Sequence, residues 1–213
     1  MNYKKNKTMK YLKSILALLV ITSLSNCSPD EAPPQPLGNN VFNIAGTQYD
    51  TNHGYLLLDD GPQYNDAFGL CFINGILRED NINGSSIETT TTHGVVLWIE
   101  LSNAIVNSEQ DVTNQIVNNS SFNLDSETTA ITNIVNFHDT YTYNGVLYGE
   151  PDDSTSILYE IGATGNGHVN INSFTVNLTT RTGTLDCDYS FIDDNNHTIT
   201  GAFNGSFDII NEF

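Results

Sequence analysis

The residues of this chain best suited to chemistry are carboxylates, and several lie in short clusters. Asp193 and Asp194 precede Asn195 and Asn196, and Asp152 precedes Asp153. Calcium prefers oxygen ligands, which Asp, Asn and backbone carbonyls supply from loops. Neither cluster completes the D-x-[DN]-x-[DN]-G pattern of a calcium-binding loop. The sequence therefore leaves two alternatives for both clusters, solvated acidic turns or an accessory Ca²⁺ site.

Aromatic residues offer a second kind of site. Tyr141 and Tyr143 precede the turn-forming pair Asn144-Gly145, and Tyr148 follows it. Planar rings on such a hairpin suit the apolar face of a sugar, and they also suit ordinary cross-strand aromatic pairing. Trp98 is the single tryptophan and lies in an apolar stretch, which predicts a core position or a pocket wall.

Motifs of the common enzyme classes are missing from the sequence. The five histidines form no HxH or HExxH pair, and there is no GxSxG elbow or Gly-rich phosphate loop. His53 and His93 share the pattern T-x-H-G-x-x-L, which indicates either two turn histidines or one joint metal or proton site. A glycosidase needs two carboxylates on facing strands, and Glu100 with Asp186 or Asp188 is one conceivable pair. These patterns favour a binding module over an enzyme.

The elements that would position these residues are strands. Asn, Thr and Gly are frequent while Ala, Glu, Lys and Arg are scarce, which disfavours a helical bundle. Stretches rich in β-branched and aromatic residues alternate with turn residues, at 41–44, 47–49, 55–58, 67–77, 95–101, 157–161, 169–178, 185–192 and 198–209. The sequence predicts an all-β fold, a single antiparallel β-sandwich or barrel. One short helix within 103–119 is the alternative to a long loop there.

Alternation within the strands predicts which faces are buried. In 185–192 every second residue is apolar, and the residues between them are polar. The apolar residues are Leu185, Cys187, Tyr189 and Phe191. The segment 67–73 is apolar on both sides, which predicts a central strand covered on both faces. Cys71 and Cys187 therefore both face apolar surroundings, as a possible disulfide or as two buried thiols.

The N-terminal segment predicts export. Five of the seven basic residues lie within the first 13 positions, ahead of a short apolar run that suits a signal peptide. Residues 27–213 then carry all 25 acidic residues and two basic ones, Arg78 and Arg181. Such a negative surface would repel nucleic acid.

Leu24-Ser25-Asn26-Cys27 resembles a bacterial lipobox, with Asn where most carry a smaller residue. The resemblance implies cleavage of a signal peptide at 1–26 and lipidation of Cys27, with ordinary secretion as the alternative. Residues 27–40 form a Pro-rich tether and 41–213 a single β domain.

Both ends of the domain resemble small β-rich surface lipoproteins of the Bacteroidetes type. Those proteins often open with a hairpin like that at 42–49 and close with an ITGxFxG strand like that at 199–205. The resemblance implies a lipid anchor in the outer membrane at the cell surface, with the periplasmic face as second choice, and it transfers no catalytic residue.

The leading interpretation is thus a non-enzymatic envelope module that binds a glycan, another ligand or an envelope protein. A surface hydrolase acting on glycan through paired carboxylates is the alternative, and a structural subunit of an outer-membrane assembly is a third.

Overall fold

The computed structural model describes residues 39–59, 67–80, 84–101, 107–162 and 166–212. The predicted signal peptide, Cys27 and the tether up to Gly38 lie outside these residues. In the part of the chain that is described, no helix is long and apolar enough to cross a membrane.

Strands make up most of the described chain, which confirms the all-β prediction. The fifteen described strands are β1 (Val41–Ile44), β2 (Thr47–Asp50), β3 (His53–Asp59), β4 (Ala67–Ile73), β5 (Leu77–Asp80), β6 (Gly84–Glu88), β7 (His93–Glu100), β8 (Ser121–Asn123), β9 (Thr129–Thr132), β10 (Phe137–Tyr143), β11 (Val146–Pro151), β12 (Ile157–Glu160), β13 (Gly167–Asn177), β14 (Thr182–Ile192) and β15 (Thr198–Glu212).

One helix, α1 (Glu109–Asn118), resolves the ambiguity within 103–119. The Ser108 side chain caps its first turn by accepting a hydrogen bond from the backbone N–H of Asp111. Val112 and Ile116 are four residues apart, so both face the core, where they are buried.

The strands form two sheets that curl into a half-barrel with a sandwich-like arrangement. The large sheet follows the order β12-β9-β7-β4-β3-β15-β14-β13-β8, with β1 and β2 attached beside β15, and the small sheet follows β10-β11-β6-β5. Among the described strands every pairing is antiparallel except that between β15 and β3, which is parallel. The strand β15 is long enough to have two partners along one edge: its first half pairs with β1 and its second half with β3.

Local turn chemistry accounts for the ends of several strands. Ala45 and Gly46 both have positive φ, 49° and 83°, which gives the tight hairpin predicted at 42–49. The segment predicted as one strand over 67–77 instead ends at Ile73. Gly75 passes so close to Thr91 that a Cβ would lie 1.7 Å from the Thr91 hydroxyl oxygen, and this turn separates β4 from β5.

Two apolar clusters lie on opposite faces of the large sheet. The main core includes Phe72, Tyr189 and Phe203, with the Phe72 and Phe203 rings stacked at 4.5 Å between centroids. The second cluster includes Tyr55 and Cys71 and lies under the small sheet. Strand β4 is buried on both faces and β14 on alternate residues, as predicted.

Candidate functional site

A recess of about 370 Å³ lies on the face of β7, β9 and β12 that points away from the main core. Residues that pair across adjacent strands form two rows of side chains, and these rows make up the floor of the recess. Glu160 pairs with Thr129 and Thr129 with Val96, while Leu158 pairs with Ile131. Because alternate residues of a strand share one face, these rows lie two residues apart on the same surface.

Trp98 forms one wall of this recess, as the sequence allowed. Its backbone N–H donates to the Thr128 hydroxyl (3.0 Å), and its carbonyl accepts from the backbone N–H of Asp125 (2.8 Å). A Cβ on Gly69 would lie 2.6 Å from Trp98 Cζ3, so the indole rests directly on the backbone of β4. Only glycine permits this close approach.

Three exposed carboxylates line the same recess, from Glu127, Asp153 and Glu160. Glu127 lies two residues after Asp125, and the Asp125 side chain accepts a hydrogen bond from the Glu127 backbone N–H (3.2 Å). Asp153 lies in a turn held by Asp152, whose carboxylate accepts from the backbone N–H of Ser154 (3.0 Å). Among the described residues that line the recess there is no Lys or Arg. We call this recess the acidic cleft.

A second recess, the apolar pocket, has a volume of about 190 Å³ and lies between the two sheets. Its lining is almost wholly apolar: Leu57, Cys71, Ile73, Leu77, Ser85, Ile87, Gly94, Val95, Val96, Ile131, Ile134 and Pro151. The hydroxyl oxygen of Ser85 is buried and has no hydrogen-bond partner among the described residues. Val96 and Ile131 line both recesses, so the acidic cleft and the apolar pocket adjoin.

The two basic residues outside the N-terminal segment lie elsewhere. Arg181 donates to the Glu109 carboxylate at 2.9 Å and so ties α1 to the β13–β14 turn. Arg78 places its guanidinium carbon 3.4 Å from the ring centroid of Tyr143. Neither of these two arginines is among the described residues that line the cleft.

The three tyrosines of the predicted hairpin do come together. Tyr141 and Tyr148 stack at 5.8 Å between centroids across β10 and β11, and Arg78 covers Tyr143. Ser86 bonds to the Tyr141 hydroxyl at 2.7 Å. Cross-strand pairing thus accounts for Tyr141 and the buried Tyr148, and Tyr143 is the exposed ring of the three. Glycan binding on this hairpin stays a prediction.

The acidic loop 193–196 is held by internal hydrogen bonds. The Asp193 carboxylate, 3% exposed, accepts from the backbone N–H groups of Asn195 (2.9 Å) and His197 (2.7 Å) and pairs with the His197 ring (2.8 Å). Burial by itself would raise the pKa of the Asp193 carboxyl, but the hydrogen bonds from His197 and Asn195 outweigh it and hold that pKa below its usual range. Asp194 and Asn196 are exposed. Calcium at this loop, as at Asp152-Asp153, stays a prediction.

A cluster that the sequence did not indicate lies on the small sheet. Nδ1 of His138 is 3.2 Å from a carboxylate oxygen of Asp139 and 3.7 Å from one of Glu150. Each of these three residues offers one atom that could bind a metal ion, and the three atoms lie within 4.8 Å of one another. The described residues contain no other group of three His, Cys, Asp or Glu residues that is this close. A one-residue bulge in β10 places His138 opposite Glu150, and the hairpin pattern carried no sign of that bulge. All three side chains are at the surface.

The sequence left two alternatives for Cys71 and Cys187, and the structure has them as two buried cysteines that are not joined by a disulfide. Cys187 belongs to the main core, whereas Cys71 belongs to the second cluster on the other face of the sheet. Phe72, the neighbour of Cys71 in β4, is the residue that stacks on β14, at Tyr189. The alternation of side chains therefore turns the Cys71 thiol away from Cys187.

The carboxylate pair considered from the sequence is not assembled. Glu100 lies on β7 and Asp186 and Asp188 lie on β14, with β4, β3 and β15 between them. Asn172 donates to both aspartates on the outer face of the sheet. His93 uses both ring nitrogens, one with the Thr92 hydroxyl and one with the Asp50 carbonyl, so it acts as a structural histidine at the end of its strand.

Comparison of this chain with protein-family models, with curated proteins and with solved structures finds no match.

Proposed function

We propose that this protein is a non-enzymatic, lipid-anchored module of the cell envelope that binds a small ligand across the acidic cleft and the apolar pocket. The observation that carries the proposal is that the two recesses share Val96 and Ile131 and together offer a rigid aromatic wall, carboxylates and an apolar end. Concave sites with a mainly apolar lining and a few polar groups are the usual form of small-ligand sites.

The position at the outer membrane belongs to the same proposal. Lipidation at Cys27 would hold the domain at the membrane through the tether at 27–40, at the cell surface in the leading form of the proposal and at the periplasmic face in the second. An anchored module meets its ligand at the membrane without needing a membrane-spanning segment of its own.

Intrinsic fluorescence tests the binding proposal, since Trp98 is the single tryptophan and lines the cleft. Fractionated small molecules from an envelope extract should contain a component that changes Trp98 emission in a saturable way. Ile134→Phe, which fills the apolar pocket, should abolish that change. Val135→Phe makes the same kind of change at an exposed neighbour and should not. Emission that stays constant with every fraction would contradict the proposal.

The alternative, a hydrolase acting on glycan, has a specific observation in its favour, the three carboxylates beside Trp98. The candidate residues are then Glu127, Asp153 and Glu160. Glu127→Gln or Glu160→Gln would, in a hydrolase, remove turnover of a bound oligosaccharide while leaving its binding measurable. A binding module shows no turnover in any of these forms.

A further inference from the structure

We propose that the ligand is an amphipathic cation, with an apolar group in the apolar pocket and an ammonium group in the acidic cleft. This inference rests on the proposed function and names the chemical class of its ligand. It follows from the size and lining of the two recesses and from the charge around them.

The apolar pocket sets the size of the apolar group. At about 190 Å³ it is somewhat larger than an engineered apolar cavity of roughly 150 Å³ that accepts benzene. By that comparison it accommodates roughly six to eight carbon atoms. An aromatic ring or a short alkyl chain fits this volume, and a long acyl chain does not.

The acidic cleft sets the charge of the other end. Its lining carries the carboxylates of Glu127, Asp153 and Glu160 with no Lys or Arg among the described lining residues. Trp98 also lines the cleft, and an indole ring attracts a cation held over its face through the ring quadrupole. A bound anion would meet repulsion from all three carboxylates, whereas an ammonium group meets attraction from every charged residue of the lining.

The spread of these carboxylates favours an organic cation over a metal ion. Among the described residues, three ligand atoms converge within 4.8 Å at His138, Asp139 and Glu150, and the cleft residues are not part of that group. A calcium ion needs several oxygens at once within about 2.6 Å of it. An ammonium group on a carbon chain needs a single hydrogen-bonded contact and a general negative field.

Strand geometry sets the separation of the two ends. The row that lines the pocket, Ile131 with Gly94, lies two residues along the strands from the row of Thr129 with Glu160. Two residues of an antiparallel strand advance about 7 Å. The ammonium group should therefore stand about 7 Å from the centre of the apolar group, which corresponds to a linker of roughly three carbons.

Isothermal titration calorimetry of the full chain with three matched probes tests the inference. The probes are 3-phenylpropylamine, 3-phenylpropan-1-ol and 3-phenylpropionate, which share ring and linker and differ in charge. At low ionic strength the amine should bind about tenfold more tightly than the alcohol, the ratio expected from one exposed charge contact and one cation–π contact. The carboxylate should show no binding. Added sodium chloride should reduce the advantage of the amine, because salt screens exposed charges.

Variants assign the effect to the cleft. Glu127→Gln and Glu160→Gln replace exposed side chains with isosteres, so folding is preserved, and each should bring the affinity of the amine towards that of the alcohol. Asp50→Asn removes the same charge at an exposed position on β2 outside both recesses and should leave the ratio unchanged. If the ratio of amine affinity to alcohol affinity fell equally in all three variants, the preference for the amine would come from the net charge of the protein. That result would overturn the inference.

The remaining outcomes separate the two proposals. Equal affinities of amine and alcohol in the wild-type chain overturn the cationic class while small-ligand binding at the site stands. Propylamine that binds as well as 3-phenylpropylamine overturns the role of the apolar pocket. If none of the phenyl probes binds while an envelope fraction still changes Trp98 emission, the ligand belongs to another class and the inference is wrong, but the binding function is not.

Discussion

At the scale of single residues, hydrogen bonding decides which acidic groups hold a turn and which ones line the acidic cleft. Asp193 is buried and its carboxylate is engaged by three donors within its own loop. Asp152 likewise holds its turn, whereas its neighbour Asp153 lines the acidic cleft. Two acidic clusters that look alike in sequence thus contain residues with different roles.

The hydrogen bonds of Asp193 predict a pH-dependent contribution to stability. Asp193→Asn should lower the free energy of unfolding by about 2 kcal/mol at neutral pH, since hydrogen bonds to a charged group are lost. Because the folded-state pKa of Asp193 is depressed, this contribution is present above the usual Asp pKa and disappears as the pH falls through the folded-state value. Urea unfolding of both proteins from pH 7 downwards measures this difference.

Asp194→Asn is the matched control for that experiment, since Asp194 is exposed in the same loop. It should leave stability nearly unchanged. A difference between wild type and Asp193→Asn that stays constant into the acid range would show that the ionised carboxylate is not what holds the loop.

The two cysteines predict a particular pattern of thiol reactivity. Burial raises the pKa of the Cys187 thiol to about 12, so little thiolate exists at pH 8. Cys187 should therefore resist alkylation in the folded protein, and unreduced, denatured protein should release two reactive thiols, from Cys71 and Cys187. Mass spectrometry after alkylation counts them. Absence of both thiols would mean that a disulfide forms after all.

At the scale of elements, a buried tyrosine connects the two sheets. The Tyr55 hydroxyl, on β3, accepts a hydrogen bond from the backbone N–H of Leu77 at the start of β5 (3.0 Å). Both residues belong to the apolar cluster under the small sheet. That sheet covers the apolar pocket, so the contact also supports the candidate site.

Tyr55→Phe should destabilise the protein by about 1 to 3 kcal/mol, because the buried N–H of Leu77 loses its acceptor. Burial raises the pKa of Tyr55 to about 12. Because the folded-state pKa lies above the ordinary tyrosine pKa, the neutral Tyr55 hydroxyl makes its full contribution to folding stability below about pH 10. That contribution is lost as the pH rises from about 10 towards 12. Thermal unfolding of wild type and variant at neutral and alkaline pH measures both effects.

Tyr143→Phe, at a 45% exposed position, is the control and should change the melting temperature little. Equal destabilisation by the two substitutions would show that the Tyr55 hydroxyl has no special role in attaching β5.

At the scale of the whole molecule, the balance of charge decides which kinds of ligand the protein attracts. The segment 27–213 carries 25 acidic and two basic residues, and both arginines are engaged, Arg78 with tyrosines and Arg181 with Glu109. A strongly negative protein attracts cations to its surface and is repelled by polyanions. The proposed cationic ligand agrees with this balance.

The proposed anchor depends on one thiol, at Cys27. Cys27→Ser should prevent acylation, so that metabolic labelling with a fatty acid no longer marks the protein and membrane fractions lose it. Ser28→Ala, next to it, should leave the label in place. Label that persists in Cys27→Ser would show that the resemblance to a lipobox is misleading.

Local patterns in the sequence determined the class of fold and much of the burial. Alternation over 185–192 and the two-sided apolar run over 67–73 identified buried faces correctly, because side-chain direction in a strand has a fixed period of two. The hairpin at β1 and β2 follows from the turn at Ala45-Gly46, where Gly46 accepts positive φ without steric cost. These features depend on neighbours in the chain, and the sequence shows neighbours directly.

The site depended on contacts that no local pattern encodes. Trp98, Glu127, Asp153 and Glu160 line one recess because β7, β9 and β12 pair side by side and a separate turn brings Asp153 to them. The parallel pairing of β15 with β3 and the location of Cys71 and Cys187 on opposite faces of the sheet were equally hidden. Strand order and register are set by the packing of the whole core, where many long-range contacts are satisfied at once, so only the tertiary structure decided them.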